Sequence, residues 1–261
     1  MANADRFSSR QESILKQIKS HGSVHVENLA EDFATTPQTI RKDLQILADA
    51  NRIMRFHGGA SLLTGLEYTD FEIRRKISPR QKEAIGKTVA NRIPNNIALM
   101  INAGTTTLAV SRELKYHTGL KVVTDNVSIA NDLRLFEGIE VMVPAGTVRR
   151  SDGAILGETA VDFIRMFRAD IGIIGAAAIS SDGALLDYDL REANVAREII
   201  KNSHHVILAA DSSKFDGSGP VQIGHISQVD SLVTNQCHCS SIIDLCRMHN
   251  VELVMAKKDI A

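Results

Sequence analysis

From residue 97 to residue 255 the sequence switches repeatedly between two periodicities, and this restricts the fold more than any other feature. Seven short apolar runs have the length of strands: "IALMI" (97–101), "KVVT" (121–124), "EVMV" (140–143), "DIGIIG" (170–175), "HVILAA" (205–210), "SLVT" (231–234) and "VELVM" (251–255). Stretches of helical spacing fit between them, around 106–115, 127–135, 159–167, 189–202 and 240–249. Strands alternating with helices predict an α/β body built on a mainly parallel sheet, with helices on both faces. In such a body ligands sit beyond the carboxyl ends of the strands.

Polar, glycine-bearing segments fall at those ends. "NAGTTT" follows the first run: Asn102, then Gly104, which frees the backbone, then Thr105, Thr106 and Thr107 at a helix start, an anion site in type. "TDN" supplies Asp125 and Asn126 after the second run, and "PAGTVRRSDGAILG" supplies Gly146, Arg149 and Arg150. "SDGALLDYDLREANVAREI" is the fourth such segment, and "ADSSKFDG" carries Lys214. Each segment alone reads first as a turn. Their joint placement favours a small phosphorylated ligand.

The N-terminal part has a different design. "QESILKQIKS" (11–20) places Ile14, Leu15 and Ile18 at helical spacing, and "VENLAEDFA" is a second short helix with Val26, Leu29, Ala30 and Phe33 on one side. A third helix starts in Thr35-Thr36-Pro37-Gln38, with proline in its first turn; either threonine can be the cap, and Thr35 with Gln38 fits a capping box. Ile40, Leu44 and Leu47 face inward, which leaves Gln38, Thr39, Arg41, Lys42 and Gln45 on or beside the solvent face. "RIMRFHGG" then alternates as a short strand pair ending in a glycine turn, with Arg52, Arg55 and His57 along it.

A short helix, a tight turn and a polar-faced helix make a helix-turn-helix pattern, with the basic hairpin as a wing. Two adjacent cations usually mean only a solvated helix face; the cap, the preceding helix and the wing in this order raise the DNA-binding reading above that. The 30 Lys and Arg residues against 31 Asp and Glu give a net charge of −1, so a nucleic-acid site has to be a local patch.

The run from Arg10 to Ala60 resembles the DNA-binding domain of the DeoR family of bacterial transcriptional regulators, through Thr39-Ile40-Arg41-Lys42-Asp43-Leu44 and His57-Gly58-Gly59-Ala60. Lys42 stands where the family usually has a second arginine. It keeps the charge without the planar fork, which points to a phosphate contact. The body is similar to the DeoR sensor domain, whose fold resembles ribose phosphate isomerase and the coenzyme A transferases. "GTTT" matches the isomerase phosphate loop, "REA" (191–193) its catalytic glutamate and "SSK" (212–214) a substrate-binding lysine. The resemblance implies that Thr105, Thr106 and Thr107 hold phosphate, that Lys214 neutralises it or holds a hydroxyl, and that Glu192 and Asp182 face sugar hydroxyls. Asp187-Tyr188-Asp189 replaces the isomerase's lysine-bearing run, and a base without its partnering acid is a poor proton shuttle. Within the family, "RRSDGAILGETAVDFI" and "GHISQVD" look most like the branch of the glycerol-3-phosphate repressor.

These readings predict a winged helix-turn-helix over 1–60, a linker over 61–75 and a sensor domain over 76–261. They imply a regulator, not an enzyme, with no catalytic residues and no cofactor. Its partners are double-stranded operator DNA, a phosphorylated sugar or polyol effector and further copies of itself. "MANADRFSSRQ" has neither a basic leader nor an apolar core, no run is long enough to cross a bilayer, and three cysteines make no disulfide framework; a cytoplasmic location is expected. "CHCSSIIDLCRMH" lacks paired zinc-ligand spacing, so no metal is expected there. A sugar-phosphate isomerase with an accessory DNA-binding domain is the alternative. An RNA-binding module is disfavoured by few Phe and Tyr and no Trp.

Overall fold

The computed structural model describes residues 7–21, 23–50, 52–56, 58–62 and 71–257. The chain divides into two compact units, one ending at Ile77 and the other beginning at Ser78. His57, expected in the wing, and 63–70, in the expected linker, lie outside the described residues.

The first unit contains α1 (Ser9–His21), β1 (Ser23–His25), α2 (Val26–Asp32), α3 (Pro37–Asp49), β2 (Ile53–Phe56), β3 (Gly59–Leu62) and α4 (Phe71–Lys76). Ile40, Leu44 and Leu47 of α3 are fully buried in one cluster with Ile14, Ile18 and Leu29, as the helical spacing requires. Thr36 is the cap of α3: its Oγ1 accepts from the Thr39 amide at 3.2 Å, with Pro37 opening the first turn. This settles the choice between the threonines against the Thr35–Gln38 box. β2 and β3 form the expected hairpin, in register from Ile53↔Leu62 to Phe56↔Gly59. Gly58 turns it at φ +84°, where a side chain would be strained. β1 adds a third strand on the far side of β3, and its three residues are too few to show a period.

The second unit runs α5 (Pro79–Ala90), β4 (Ala98–Ile101), α6 (Thr105–Glu113), β5 (Leu120–Thr124), α7 (Val127–Leu133), β6 (Ile139–Met142), α8 (Glu158–Arg165), β7 (Ala169–Ile174), β8 (Ala178–Ile179), β9 (Ala184–Asp187), α9 (Leu190–Lys201), β10 (Ser203–Ala209), β11 (Val221–His225), β12 (Ser231–Thr234), α10 (Ser240–Met248) and β13 (Glu252–Met255). Seven strands form one sheet in the order β13-β12-β10-β7-β4-β5-β6, with every neighbouring pair parallel. The chain leaves β4 through β5 to β6, then returns to the other side of β4 as β7 and continues outward to β13. That reversal puts a topological switch point between β4 and β7.

Because parallel crossovers are right-handed, reversing direction changes the face on which helices lie. α5, α6 and α7 pack side by side, while α8 packs on α9. A Cβ on Gly86 of α5 would meet the Ala109 carbonyl oxygen of α6 at 2.7 Å, so these helices touch backbone to backbone and α6 is fixed in place. α9 also carries a small antiparallel sheet, β11-β9-β8, that the sequence reading did not expect.

Candidate functional site

On α3 the exposed residues Gln38, Arg41, Lys42 and Gln45 form one outward stripe, with Thr39 half-buried beside it. Arg41 Nη2 lies 3.6 Å from Glu27 Oε1 of α2, and both side chains are largely exposed. Arg55 of β2 donates to Gln45 Oε1, which links the hairpin to α3. The Arg52 guanidinium sits 5.6 Å from the centre of the Phe7 ring. Exposed pairs of this kind contribute at most about 1 kcal/mol, so a phosphate or a base edge can displace them. Thr36 is spent as the cap, and the expected residues Gln38, Thr39, Arg41, Lys42, Arg52 and Arg55 all belong to this unit.

In the second unit, Asn102 closes the switch point. Its Oδ1 accepts from the Gly175 amide at 2.9 Å and its Nδ2 donates to the Gly175 carbonyl at 3.3 Å, pinning the end of β4 to the end of β7. α6 starts directly afterwards on Gly104, which has no side chain to cap it, so its first amides have no side-chain cap. α7, by contrast, is closed by Asn126, whose Oδ1 accepts from Ser128 and Ile129 while its Nδ2 donates to the Asp152 carbonyl.

A charged cluster lies beside these ends. Arg149 donates to Asp152 through Nε at 2.8 Å and through Nη2, to Asp189 at 3.1 Å and to Glu192. Burial works against the Arg149 charge. The Asp152 hydrogen bonds and the Glu192 carboxylate outweigh burial and hold the guanidinium above its ordinary pKa. Asp189 caps α9 through the Arg191 amide and is held below the usual carboxylate range by the Arg191 guanidinium. Asp125, 1% exposed, has no cation on it and accepts from the Ala103 amide at 2.7 Å. Burial pushes its carboxyl up to about 7; the amide opposes this, and Glu192 and Asp152 add to it.

The structure sorts the expected residues. Thr105 and Thr106 lie, buried, in the uncapped first turn of α6, whereas the Thr107 hydroxyl is used internally, on the Asn102 carbonyl at 2.8 Å. Gly146 sits at φ +152° in the loop that carries Arg149. Asp182 stands apart: it is exposed in the turn between β8 and β9, where Ser180 and the Ala184 amide hold it. Its counterpart is Asp152, because Ser-Asp-Gly-Ala occurs twice and makes the same turn each time, with Gly153 at φ +78° and Gly183 at φ +86°. Only the first copy joins the Arg149 cluster. Lys214 is half-buried on the Ser212–Lys214 turn, which Asp211 holds through Ser213. Under that turn, Lys82 Nζ of α5 lies 4.0 Å from Asp211 Oδ2, with both side chains at most 5% exposed. Lys82, Asp152, Asp189 and Asp211 were missed in the sequence. A buried Lys–Asp pair 129 residues apart (82 to 211) leaves no local pattern.

Among the described residues no three His, Cys, Asp or Glu side chains converge for a metal, and burial raises the Cys246 thiol to about 11. No helix among them is long and apolar enough to cross a membrane.

Residues 10–65 match the DeoR-like helix-turn-helix domain and residues 77–236 match the DeoR C terminal sensor domain. The chain belongs to the DeoR family. Among its DeoR relatives, the glycerol-3-phosphate regulon repressor of Escherichia coli strain K12 is 41% identical over 94% of this chain and 97% of its own. That of Haemophilus influenzae is 39% identical over 95% and 96%. The HTH-type transcriptional repressor CsqR of E. coli K12 is 33% identical over 96% of each chain. Ribose 5-phosphate isomerase A from Neisseria gonorrhoeae aligns with 51% of this chain and 52% of its own, at 14% identity and a TM-score of 0.38.

Proposed function

We propose that this DeoR-family chain is a cytoplasmic, homo-oligomeric repressor of a sugar or polyol catabolic operon, released from operator DNA by a phosphorylated sugar or polyol. What supports the reading above all is one juxtaposition: the uncapped start of α6 opens at the same strand ends as the Arg149 cluster, in a chain whose other unit presents a polar, basic α3. The phosphoryl group goes to the Gly104–Thr106 amides and Lys214, because Arg149 is already engaged by three carboxylates. Hydroxyls of the ligand face Glu192 and Asp125. Glu192 is tied to Arg149, and the isomerase's lysine-bearing run is absent, so the same pocket is poorly equipped for proton transfer. Paired reading heads follow from paired operator half-sites.

The test is a mobility-shift assay on an operator enriched from random-sequence duplexes by binding to the intact chain, repeated with sugar and polyol phosphates, glycerol 3-phosphate first. Release by one of them is expected; indifference to the whole panel would refute the effector reading. Arg41→Ala is expected to lower operator affinity by about 1–3 kcal/mol, with a smaller loss on random duplex. An equal loss on both would reassign Arg41 to phosphate. Lys214→Ala is expected to blunt the response to the releasing compound and to leave ligand-free operator binding intact; if both fall together, Lys214 is structural.

A further inference from the structure

Asp43 lies in the middle of α3, two residues beyond Arg41, and is only 5% exposed. A carboxylate at that depth is costly unless it is paired and hydrogen-bonded. Its two oxygens go to two neighbouring residues of α1: Arg10 Nε donates to Oδ2 at 2.6 Å, and Gln11 Nε2 donates to Oδ1 at 2.9 Å. Gln11 is held in turn, since its Oε1 accepts from the Ser8 amide at 3.0 Å and its own amide donates to Ser8 Oγ at 3.2 Å. This capping box dictates which end of the Gln11 amide faces Asp43. A chain of hydrogen bonds of fixed polarity therefore runs from the first turn of α1 to the centre of α3.

The apolar contacts of Ile40, Leu44 and Leu47 cannot set a rotation this finely, because hydrophobic burial has no direction. Turning a helix by roughly 20° moves side-chain atoms at its 5–6 Å radius by about 2 Å. Base readout, which needs donors within about 0.5 Å of a fixed distance, does not survive such a shift; phosphate contacts by long flexible cations do.

We propose that Asp43 is the positioning residue of the DNA-reading helix, fixing through Arg10 and Gln11 the rotation of α3 and hence the direction in which Gln38, Arg41 and Lys42 leave the protein. This rests on α3 being the groove-facing helix. Its signature is a loss of sequence preference larger than the loss of affinity.

Asp43→Asn in the intact chain keeps the shape and replaces one acceptor by a donor, which then opposes either the Gln11 NH2 or the Arg10 Nε–H. Gln11 cannot flip to relieve this without abandoning the Ser8 amide. Affinities for the enriched operator and for random duplex are measured at one salt concentration. The operator-to-random ratio is expected to fall by about tenfold or more, while random-duplex affinity changes by less than about twofold. Adding Gln11→Glu to Asp43→Asn restores an acceptor opposite the new amide, keeps the Ser8 contact and conserves charge, and is expected to recover the ratio. An unchanged ratio in Asp43→Asn, equal losses on both duplexes, or no recovery in the double variant would overturn the proposal. A wild-type chain with no operator preference would overturn the reading of α3 and the proposal together.

Discussion

Replacing Arg149 by methionine is expected to destabilise the chain by about 3–5 kcal/mol, the cost of removing one partner from a buried ion pair. The reason is the imbalance that the arginine conceals. Asp152 and Glu192 are 2% and 7% exposed at their side chains, Asp189 is 20% exposed, and Arg149 donates to all three. Without the guanidinium, Asp152 and Glu192 stay out of water beside Asp125 and lose the cation that both are bonded to. Thermal unfolding is expected to begin roughly 10 °C lower at pH 8. The deficit should be smaller at pH 5 than at pH 8, because burial without a cation favours the neutral form of a carboxyl. A loss of packing alone would be the same at both pH values, and an unchanged Tm would show that the cluster holds nothing together.

Asp125→Asn is expected to act in the opposite direction. Burial raises the Asp125 carboxyl from 3.8 to about 7, so folding favours its protonated form. The stability this group contributes is therefore complete below about pH 4, declines as pH rises toward 7 and is gone above it. Three pH units correspond to roughly 4 kcal/mol. The asparagine oxygen can accept from the Ala103 amide as the carboxylate does, and it carries no charge. Urea unfolding at pH 4.5, 6 and 8 is expected to show wild type losing stability across this range relative to the variant, which is the more stable of the two at pH 8. Parallel curves would mean that Asp125 is ionised in the folded chain throughout.

The large sheet was legible because its strands are short, largely apolar and bounded by turns, which is how the strands covered on both faces at its centre must read. α3 was legible through Ile40, Leu44 and Leu47, three positions one or two turns apart. The small sheet was not: Ala178–Ile179 is two residues long, and β11 carries an irregularity between Gln222 and Gly224 that breaks its alternation. The candidate site was legible only in part. Strand-end position pointed to Asn102, Thr105, Asp125, Arg149 and Lys214, and the family resemblance to Glu192, but identical Ser-Asp-Gly-Ala turns at Asp152 and Asp182 differ only in what packs around them. Asn126 and Thr107 lie where ligands are expected and yet spend their polar atoms on helix starts. Which polar group faces the ligand and which faces the backbone depends on neighbours remote in sequence.

In the proposed function, one chain couples a duplex-reading helix to a site that responds to a phosphoryl group. Coupling is reciprocal: whatever factor the effector takes from operator affinity, the operator must take from effector affinity. Calorimetric titration of glycerol 3-phosphate, or of whichever panel compound releases the operator, into free protein and into the operator complex measures this directly. Weaker binding to the complex is expected, by the factor seen in the mobility shift. Equal affinities in the two titrations would contradict it.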